Sequence, residues 1–429
     1  MSILNFIIDN IFTQAAIIIA LISFLGLVLQ KKPIGTVVSG TMKTMLGFLV
    51  LGAGSGVLQQ SLLFLGDIFN KAFGLKGVVA SIEGINGQAM TDLGLGSEIA
   101  VGLLGIFIVN VLIARFTKFK YIFLTGQAFL WESTLCIVFG YYCGLRGAPL
   151  ILAASIVGGC FATFMPAIAQ PIVRQITGSD DIALGHFCTI GYMFTAGIAK
   201  IVEKVSGGKG KSTEDIALPE SLEFLSDTYL SLMVVMVPLY IIVAAVAGPA
   251  ACAKYCGDTN FIVYAFLQAM QFVVGVYVLM SGVRMLLAEI VPAFQGISMK
   301  LVPNSKPALD CPVLFPYAPN AVVMGFVFTT IGTLIGMVVT PLFGLPVVLP
   351  GVLSNFFAGG TAGIFANQVG GRKGVVVGCI CHGIFITFLP AMLSPMLADI
   401  GFIGTTCTDV DTIVTAFVFM IFKSVAGIF

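Results

Sequence analysis

Long apolar stretches recur along the chain and limit what it can fold into. The stretch FIVYAFLQAMQFVVGVYVLMSGV, from Phe261 to Val283, has no charged residue, and a helix needs about 20 mainly apolar residues to cross the hydrocarbon core of a bilayer. Charged residues make up only 10% of the 429 residues, against about 25% in a typical soluble domain. Because backbone polar groups cannot remain unpaired in lipid, these stretches predict an all-α polytopic membrane protein.

Eleven membrane-spanning helices are predicted on this basis, in a single integral membrane unit that covers residues 1–429. The N-terminus lacks the positively charged region and the small-residue cleavage site of a secretory signal, so we expect the first apolar run to be retained as a span. The predicted spans lie near residues 11–30, 34–66, 96–114, 121–144, 147–170, 228–252, 260–291, 319–342, 345–365, 374–397 and 410–428.

A hydrophilic connection at residues 203–227 divides the predicted spans into two halves, 1–202 and 228–429. Its glycine, serine, lysine and glutamate content is typical of a solvated cytoplasmic linker. Each half also contains one apolar segment that is interrupted by polar groups, glycine or proline, at 181–202 and at 308–322. We expect both segments to be re-entrant hairpins, because broken backbone at membrane depth must line protein or a water-filled cavity.

Two similar stretches suggest that the halves are related. SGTMKTMLGFLVLGAGSG begins at Ser39 and SGVRMLLAEIVPAFQGIS begins at Ser281, and each combines a Ser-Gly pair, a basic residue and a long apolar run with glycine or proline. An inverted repeat of five spans in each half, with one extra helix, would explain this pattern.

The basic residues of the loops predict the orientation of the chain in the membrane. With the N-terminus outside, most lysines and arginines of the short loops fall on the inner side, including Lys31, Arg115 and the pair Arg372–Lys373. Arg146 and Lys254 are among the few on the opposite side. This bias predicts an N-terminus outside and a cytoplasmic C-terminus.

Several function classes are disfavoured. The net charge is +1 and the sequence contains no extended basic or acidic block, so nucleic-acid binding is not indicated. No G-x-x-x-x-G-K-[ST] loop is present, so direct drive by ATP is not predicted. Cys379 and Cys381 form a C-x-C pair without a second pair at zinc-site spacing, so we predict neither a metal site nor a cofactor.

Ionisable and amide side chains at membrane depth are the candidate functional residues, because they are costly there unless they face a cavity or a partner. Ser55, His186 and Asp310 are the leading candidates for ligand contact. The segment GAGSG at 52–56 predicts a helix interruption that exposes backbone groups at Ser55. Structural roles are the alternatives: tight helix packing, a hydrogen-bonded buried histidine, and an N-cap for Asp310. The remaining candidates are Glu83, Gln127, Glu132, Glu289, Asn320, Asn355, Asn367 and Gln368.

The stretch LTGQAFLWESTL, from Leu124 to Leu135, contains the only tryptophan of the chain inside a predicted span. Gln127 and Trp131 are four residues apart and therefore lie on the same helical face. We expect this face to be one wall of a ligand site. Glu132 is five residues from Gln127, so its side chain points in part toward another partner.

Six motifs, in the same order along the chain, together resemble the membrane (IIC) permease of the L-ascorbate branch of the bacterial phosphoenolpyruvate-dependent sugar phosphotransferase system. They are SGTMKTMLGF with GAGSG in the first long span, YIFLTG at 121–126, ALGH at 183–186, SGVRMLLAEIVPAFQGIS at 281–298, LDCPVLFPYAPNAVVMGF at 309–326 and SNFFAGGTAGIFANQVGG at 354–371.

The resemblance implies a homodimer whose protomers each have eleven membrane helices and two re-entrant hairpins. It also implies an elevator-type movement that carries the sugar inward, where a separate cytoplasmic IIB protein phosphorylates it. The chain would thus be a transporter subunit and not an enzyme. The site residues that the resemblance implies are Ser55, His186 and Asp310, with Asn320 behind Asp310 as a cap or hairpin clamp.

The chain departs from the ascorbate permeases at three positions near this site. Gln127 stands where they carry histidine, and Trp131 and Phe187 stand where they carry glutamine. Together with Glu132, these residues offer two aromatic faces and a carboxylate, which suit an uncharged sugar or polyol; ascorbate, with rearranged contacts, is the alternative. The competing function is an ion-coupled secondary transporter that uses Asp310 or Glu132.

Overall fold

The computed structural model describes residues 15–74, 77–216, 228–351 and 354–426. Most of these residues are helical, as the apolar runs predict. The α-helices are α1 (Ala15–Leu29), α2 (Ile34–Phe73), α3 (Ile82–Thr91), α4 (Gly96–Phe116), α5 (Gly126–Tyr142), α6 (Gly147–Thr177), α7 (Thr189–Val205), α8 (Thr228–Ala247), α9 (Pro249–Cys256), α10 (Phe261–Leu301), α11 (Pro319–Val339), α12 (Gly360–Ile400) and α13 (Val410–Ala426).

Six helical segments among the described residues are long and apolar enough to cross a membrane, and α8 with α9 adds a seventh if this bent pair is one span. These segments confirm a multi-pass membrane protein. The predicted span at 374–397 lies on α12, which is broken at Gly371 (φ 63°, ψ −163°). The predicted span at 345–365 is not a single helix, because it contains a short strand, Val347–Leu349, and only its residues 360–365 lie on α12. Residues 11–14 and 427–428 of the outermost predicted spans lie outside the described residues.

Six short strands interrupt the helices in the described part of the chain, and the sequence did not predict them. They are β1 (Gly77–Ala80), β2 (Tyr121–Phe123), β3 (Ala183–Leu184), β4 (Lys306–Leu309), β5 (Val347–Leu349) and β6 (Thr405–Thr406). The strands form two parallel three-stranded sheets, in the orders β5-β1-β6 and β2-β4-β3. Pairing satisfies the backbone groups of these extended segments inside an otherwise helical protein.

The order of elements in the first half recurs in the second. In each half, a long helix (α2 or α10) leads into the first strand (β1 or β4). Two more strands follow, each of them between helices, and the half ends in one helix (α7 or α13). Each sheet takes its central strand from one half and both edge strands from the other. The two halves are therefore interlocked through their strands.

The two long helices cross at glycines. A Cβ at Gly54 of α2 would overlap the backbone of Leu279, and a Cβ at Gly282 of α10 would overlap the backbone of Leu51. The predicted interruption at 52–56 is wrong, because α2 runs without a break from Ile34 to Phe73. Here small residues allow a close helix crossing.

The predicted linker is anchored where the structure describes it. Thr213 is fully buried, and its backbone N–H donates to Oδ1 of Asn367 at 2.9 Å. The Nδ2 group of Asn320 donates to the carbonyl oxygens of Ile216 at 2.7 Å and Thr213 at 3.2 Å. This part of the linker is thus packed against the start of α11 and against α12, whereas residues 217–227 lie outside the described residues.

Candidate functional site

The carboxyl ends of the six strands in the described part of the chain lead to one cavity. In parallel sheets, the residues that follow the strands meet at one edge, and helix N-termini that begin there carry partial positive charge. The segment that follows each strand contributes at least one lining residue, and α10 adds Met280. The lining consists of Ile82, Glu83, Gln127, Trp131, His186, Met280, Asp310, Ser354, Phe357, Ala358 and Asp409.

Asp310 directly follows β4, and the structure brings it together with Gln127. Oδ2 of Asp310 accepts a hydrogen bond from Nε2 of Gln127 at 2.8 Å. Oδ1 accepts from the backbone N–H of Cys311 at 2.8 Å, so the carboxylate also caps the 3-10 turn Cys311–Val313. The ligand-binding and capping interpretations of Asp310 are therefore compatible, because each uses a different part of the carboxylate.

His186 lies two residues beyond β3 and lines the same cavity, with only 5% of its surface exposed. Its Nδ1 atom is 2.7 Å from the hydroxyl oxygen of Tyr192, and that oxygen is 3.4 Å from Sγ of Cys311. Tyr192 thus fixes the imidazole ring and leaves Nε2 as the nitrogen available to a ligand. Sequence reasoning missed Tyr192, although it follows His186 within the predicted hairpin.

Trp131 lines the cavity one helical turn beyond Gln127, on the shared face that the sequence predicts. Its indole Nε1 is buried and has no hydrogen-bond partner among the described residues. An aromatic face and a free N–H group therefore border the cavity beside the Gln127–Asp310 pair.

Three predicted site residues do not line the cavity. Glu132 is fully buried; its Oε1 accepts from Sγ of Cys136 at 3.6 Å, and Oε2 has no partner among the described residues. Phe187 stacks on Phe123 at a ring-centroid distance of 4.5 Å. Asn320 binds the anchored linker instead. This contact agrees with the predicted role of Asn320 as a clamp and not with a predicted contact to the ligand.

Two predicted positions cannot be placed at the level of their side chains. Ser55 lies on α2 and Glu289 lies on α10, and both side chains fall outside the described part of the chain. Asn355, by contrast, donates to Oγ1 of Thr333 at 3.1 Å and so has a structural partner. Nε2 of Gln368 donates to Oε1 of Gln175 at 3.5 Å, and neither residue lines the cavity.

Two further acidic residues belong to this region, and sequence reasoning did not select them. Asp409 lines the cavity and accepts from Sγ of Cys188 at 3.7 Å. Asp411 accepts the backbone N–H groups of Thr189 at 2.8 Å and Ile190 at 2.9 Å, so it caps α7 from the other half of the chain. The two acids in the apolar segment CTDVDTIV were the available signal.

Glu83 is another of the predicted candidate residues that lines the cavity. Its carboxylate accepts a hydrogen bond from the hydroxyl of Ser81 at 2.7 Å. Glu83, Asp310 and Asp409 are therefore three carboxyl groups around one cavity, and no lysine or arginine occurs among the residues that line it.

A polar contact at the start of β4 ties the sheet β2-β4-β3 to the end of α6. Asp180 accepts hydrogen bonds from Lys306, from Gln170 at 2.8 Å and from Arg174 at 3.0 Å. The hydrogen bond from Lys306 lowers the pKa of Asp180 to about 2. Asp180 therefore stays charged over the physiological pH range, and its contact with Lys306 holds the strand that ends just before Asp310.

A family model described as "PTS system sugar-specific permease component" (EIIC-GAT) matches residues 10–411. The chain belongs to this family. The resemblance inferred from the six motifs is thereby confirmed at the level of the family, whose description is that of a sugar-specific permease component of the phosphotransferase system.

One curated relative of the EIIC-GAT chain is the "Ascorbate-specific PTS system EIIC component" of Mycoplasma pneumoniae. The two sequences are 26% identical over 422 residues, which cover 86% of this chain. The alignment covers 63% of the relative, so the chain spans less than two thirds of that protein's length.

Proposed function

We propose that this chain binds a sugar, L-ascorbate or a related carbohydrate or polyol, and translocates it across the bacterial inner membrane in step with phosphorylation by a separate IIB protein. The cavity at the six strand ends is the observation that carries this proposal. The carboxylate of Asp310, the amide of Gln127 and the imidazole of His186 can all bind sugar hydroxyls there. The ring of Trp131 can pack against the C–H face of a sugar.

The transport mechanism we propose is an elevator-type movement in a homodimer with eleven spans per protomer, arranged as an inverted repeat. The repeated order of elements and the exchange of strands between the halves support an internal repeat. A cavity shared by both halves is the arrangement expected at a repeat interface. The proposed orientation keeps the N-terminus outside and the C-terminus in the cytoplasm, as the basic loops predict.

Uptake into membrane vesicles tests the proposed coupling. We expect the sugar to accumulate inside as its phosphate, and only when the vesicles contain phosphoenolpyruvate and the soluble phosphotransferase proteins including IIB. Vesicles without IIB are the matched control. Accumulation of unmodified sugar under an ion gradient would instead support an ion-coupled transporter that uses Asp310 or Glu132, and uptake that never saturates would support a channel.

The charge of the lining favours an uncharged substrate over the ascorbate anion. Two unit charges of the same sign at 4 Å repel by about 4 kcal/mol at an effective dielectric constant of 20. Each of Glu83, Asp310 and Asp409 would repel an anion in the cavity when ionised. Arg284 lines an adjoining pocket with Gln127 and Asp310 but is absent from the described lining of this cavity. Hydroxyl-rich neutral ligands can instead donate hydrogen bonds to these carboxylates.

A thermal-shift panel of the purified protein tests this substrate preference. Among pentitols, hexitols, pentoses, hexoses and ascorbate at equal concentration and neutral pH, we expect a neutral compound to raise the unfolding temperature most, because bound ligand stabilises the folded state. The Trp131→Ala variant is the control, since it should reduce the largest shift. The largest shift for ascorbate would contradict the preference for an uncharged substrate and leave the permease proposal intact.

A further inference from the structure

Three different metal-ligating side chains meet at the ends of two neighbouring strands. Register pairs Leu184 of β3 with Leu309 of β4, so the residues that follow these strands leave the sheet side by side. His186, Asp310 and Cys311 each place a ligand atom within 4.8 Å of the other two. The group thus combines nitrogen, oxygen and sulfur donors in a space suited to one ion.

The surroundings leave two of these donors available, whereas the third, Sγ of Cys311, is 3.4 Å from the hydroxyl oxygen of Tyr192 and would exchange this contact for the ion. Tyr192 holds Nδ1 of His186 at 2.7 Å, and a hydrogen bond at one ring nitrogen orients the other for a metal in most histidine ligand sites. Each carboxylate oxygen of Asp310 accepts one hydrogen bond and retains a second lone pair. His186 and Asp310 both line the cavity, which provides a route for an ion to reach them.

The donor set indicates the class of ion. Thiolate and imidazole favour Zn²⁺ and similar thiophilic divalent ions, whereas Mg²⁺ and Ca²⁺ prefer oxygen ligands. Three protein ligands leave a fourth position of a tetrahedral Zn²⁺ site for water or another small ligand. At this site, the fourth position would face the cavity that His186 and Asp310 line.

We propose that His186, Asp310 and Cys311 bind one Zn²⁺ ion and that this ion inhibits the permease by competing with the sugar. The thiol of Cys311 would release its proton on binding, since the thiolate is the metal ligand. The competition rests on the proposed function, because it requires His186 and Asp310 to be sugar ligands. The metal site itself depends only on the geometry of the three side chains.

Metal titration of the purified full-length protein tests the site without any sugar. We expect one Zn²⁺ per chain, and Co²⁺ in the same site should show a thiolate-to-metal charge-transfer band. Cys311→Ser should abolish that band, whereas Cys381→Ser, at a half-buried cysteine on α12, should keep it. Tyr192→Phe should weaken Zn²⁺ binding by about 10- to 100-fold, as is usual when a partner of a ligating histidine is lost.

The outcomes separate this proposal from the proposed function. A Co²⁺ complex of the wild-type protein without a thiolate band, or Zn²⁺ affinity that is unchanged in both Cys311→Ser and His186→Ala, would overturn the metal site. The charge-transfer band is measured on the unaltered protein, so a misfolded variant cannot obscure the result. Zn²⁺ binding that persists while no sugar binds would overturn the proposed function alone, and sugar affinity that is independent of bound Zn²⁺ would overturn the competition.

Discussion

Asp310→Asn is expected to lower sugar transport by about 100-fold or more, which corresponds to roughly 3 kcal/mol of lost binding, the contribution of one or two hydrogen bonds to a charged group. Asparagine has nearly the same shape and caps a helical turn about as well as aspartate. The contact with Cys311 can therefore be kept, and Gln127 can turn its amide to bind the new side chain. The variant loses the charge that we propose accepts sugar hydroxyls, while the hairpin keeps its conformation.

Initial rates of uptake into vesicles, compared at equal amounts of inserted protein, measure this effect. His186→Ala should have a comparable effect, because it removes the only imidazole that lines the cavity. Asp258→Asn, at an exposed carboxylate, is the matched control and should transport at the wild-type rate. Size-exclusion chromatography should give the same profile for all four proteins. Wild-type transport by either site variant would remove that residue from the proposed site.

The sequence predicted the helical membrane class because long apolar runs leave few alternatives. The re-entrant hairpins expected at 181–202 and 308–322 stay a prediction. Each segment contains residues of a strand, and residues 189–202 of the first belong to the regular helix α7. The sequence did not predict the strands, because segments of two to four residues show no alternation that distinguishes them from their surroundings. Parallel pairing between β3 and β4 joins residues that are more than a hundred positions apart, and local patterns carry no signal of such a contact.

Helical periodicity predicted the position of the face that carries Gln127 and Trp131, whereas the binding roles of these residues stay predictions. Gln127 and Trp131 share a helical face, and both line the cavity. Glu132 follows Trp131 directly, so its side chain is turned by about 100° around the helix and faces a different neighbour. Phe187 is adjacent to His186 in sequence, but it packs on Phe123 instead. Adjacency along the chain was therefore a weaker guide than helical periodicity.

Asp409 was missed for a different reason. It precedes the last predicted span, where an acidic residue is usually interpreted as part of a solvated loop. The strand β6 returns this segment to the interior and places Asp409 on the cavity wall. Only the sheet pairing distinguishes it from a surface acid.

The anchored part of the linker suggests a second substitution with a large effect, at the break of α12. Residues 210–216 form a strap across this break: the N–H group of Arg372 donates to the carbonyl of Lys211 at 2.9 Å. Glu214 caps the start of α11 by accepting from the N–H group of Ala321 at 3.0 Å. The strap thus connects α11, which follows the segment with Asp310, to the helix that begins next to the cavity.

Gly371→Ala is expected to destabilise the protein strongly, because Gly371 has φ 63° and ψ −163°, a combination that is essentially restricted to glycine and costs other residues about 1–3 kcal/mol. A Cβ there would also overlap the carbonyl oxygen of Gly210 in the strap. Thermal unfolding of the purified protein measures the loss.

Gly248→Ala is the matched control: Gly248 also combines a positive φ of 80° with an extended ψ of 168°, but a Cβ at that position meets no atom within 4 Å. It should lose only the cost of this backbone conformation, about 1–3 kcal/mol. Both glycines lie in the same backbone region and differ in the contact with the strap. A larger fall in unfolding temperature for Gly371→Ala would show that the overlap with the strap adds to the loss, and equal falls would show that it adds nothing.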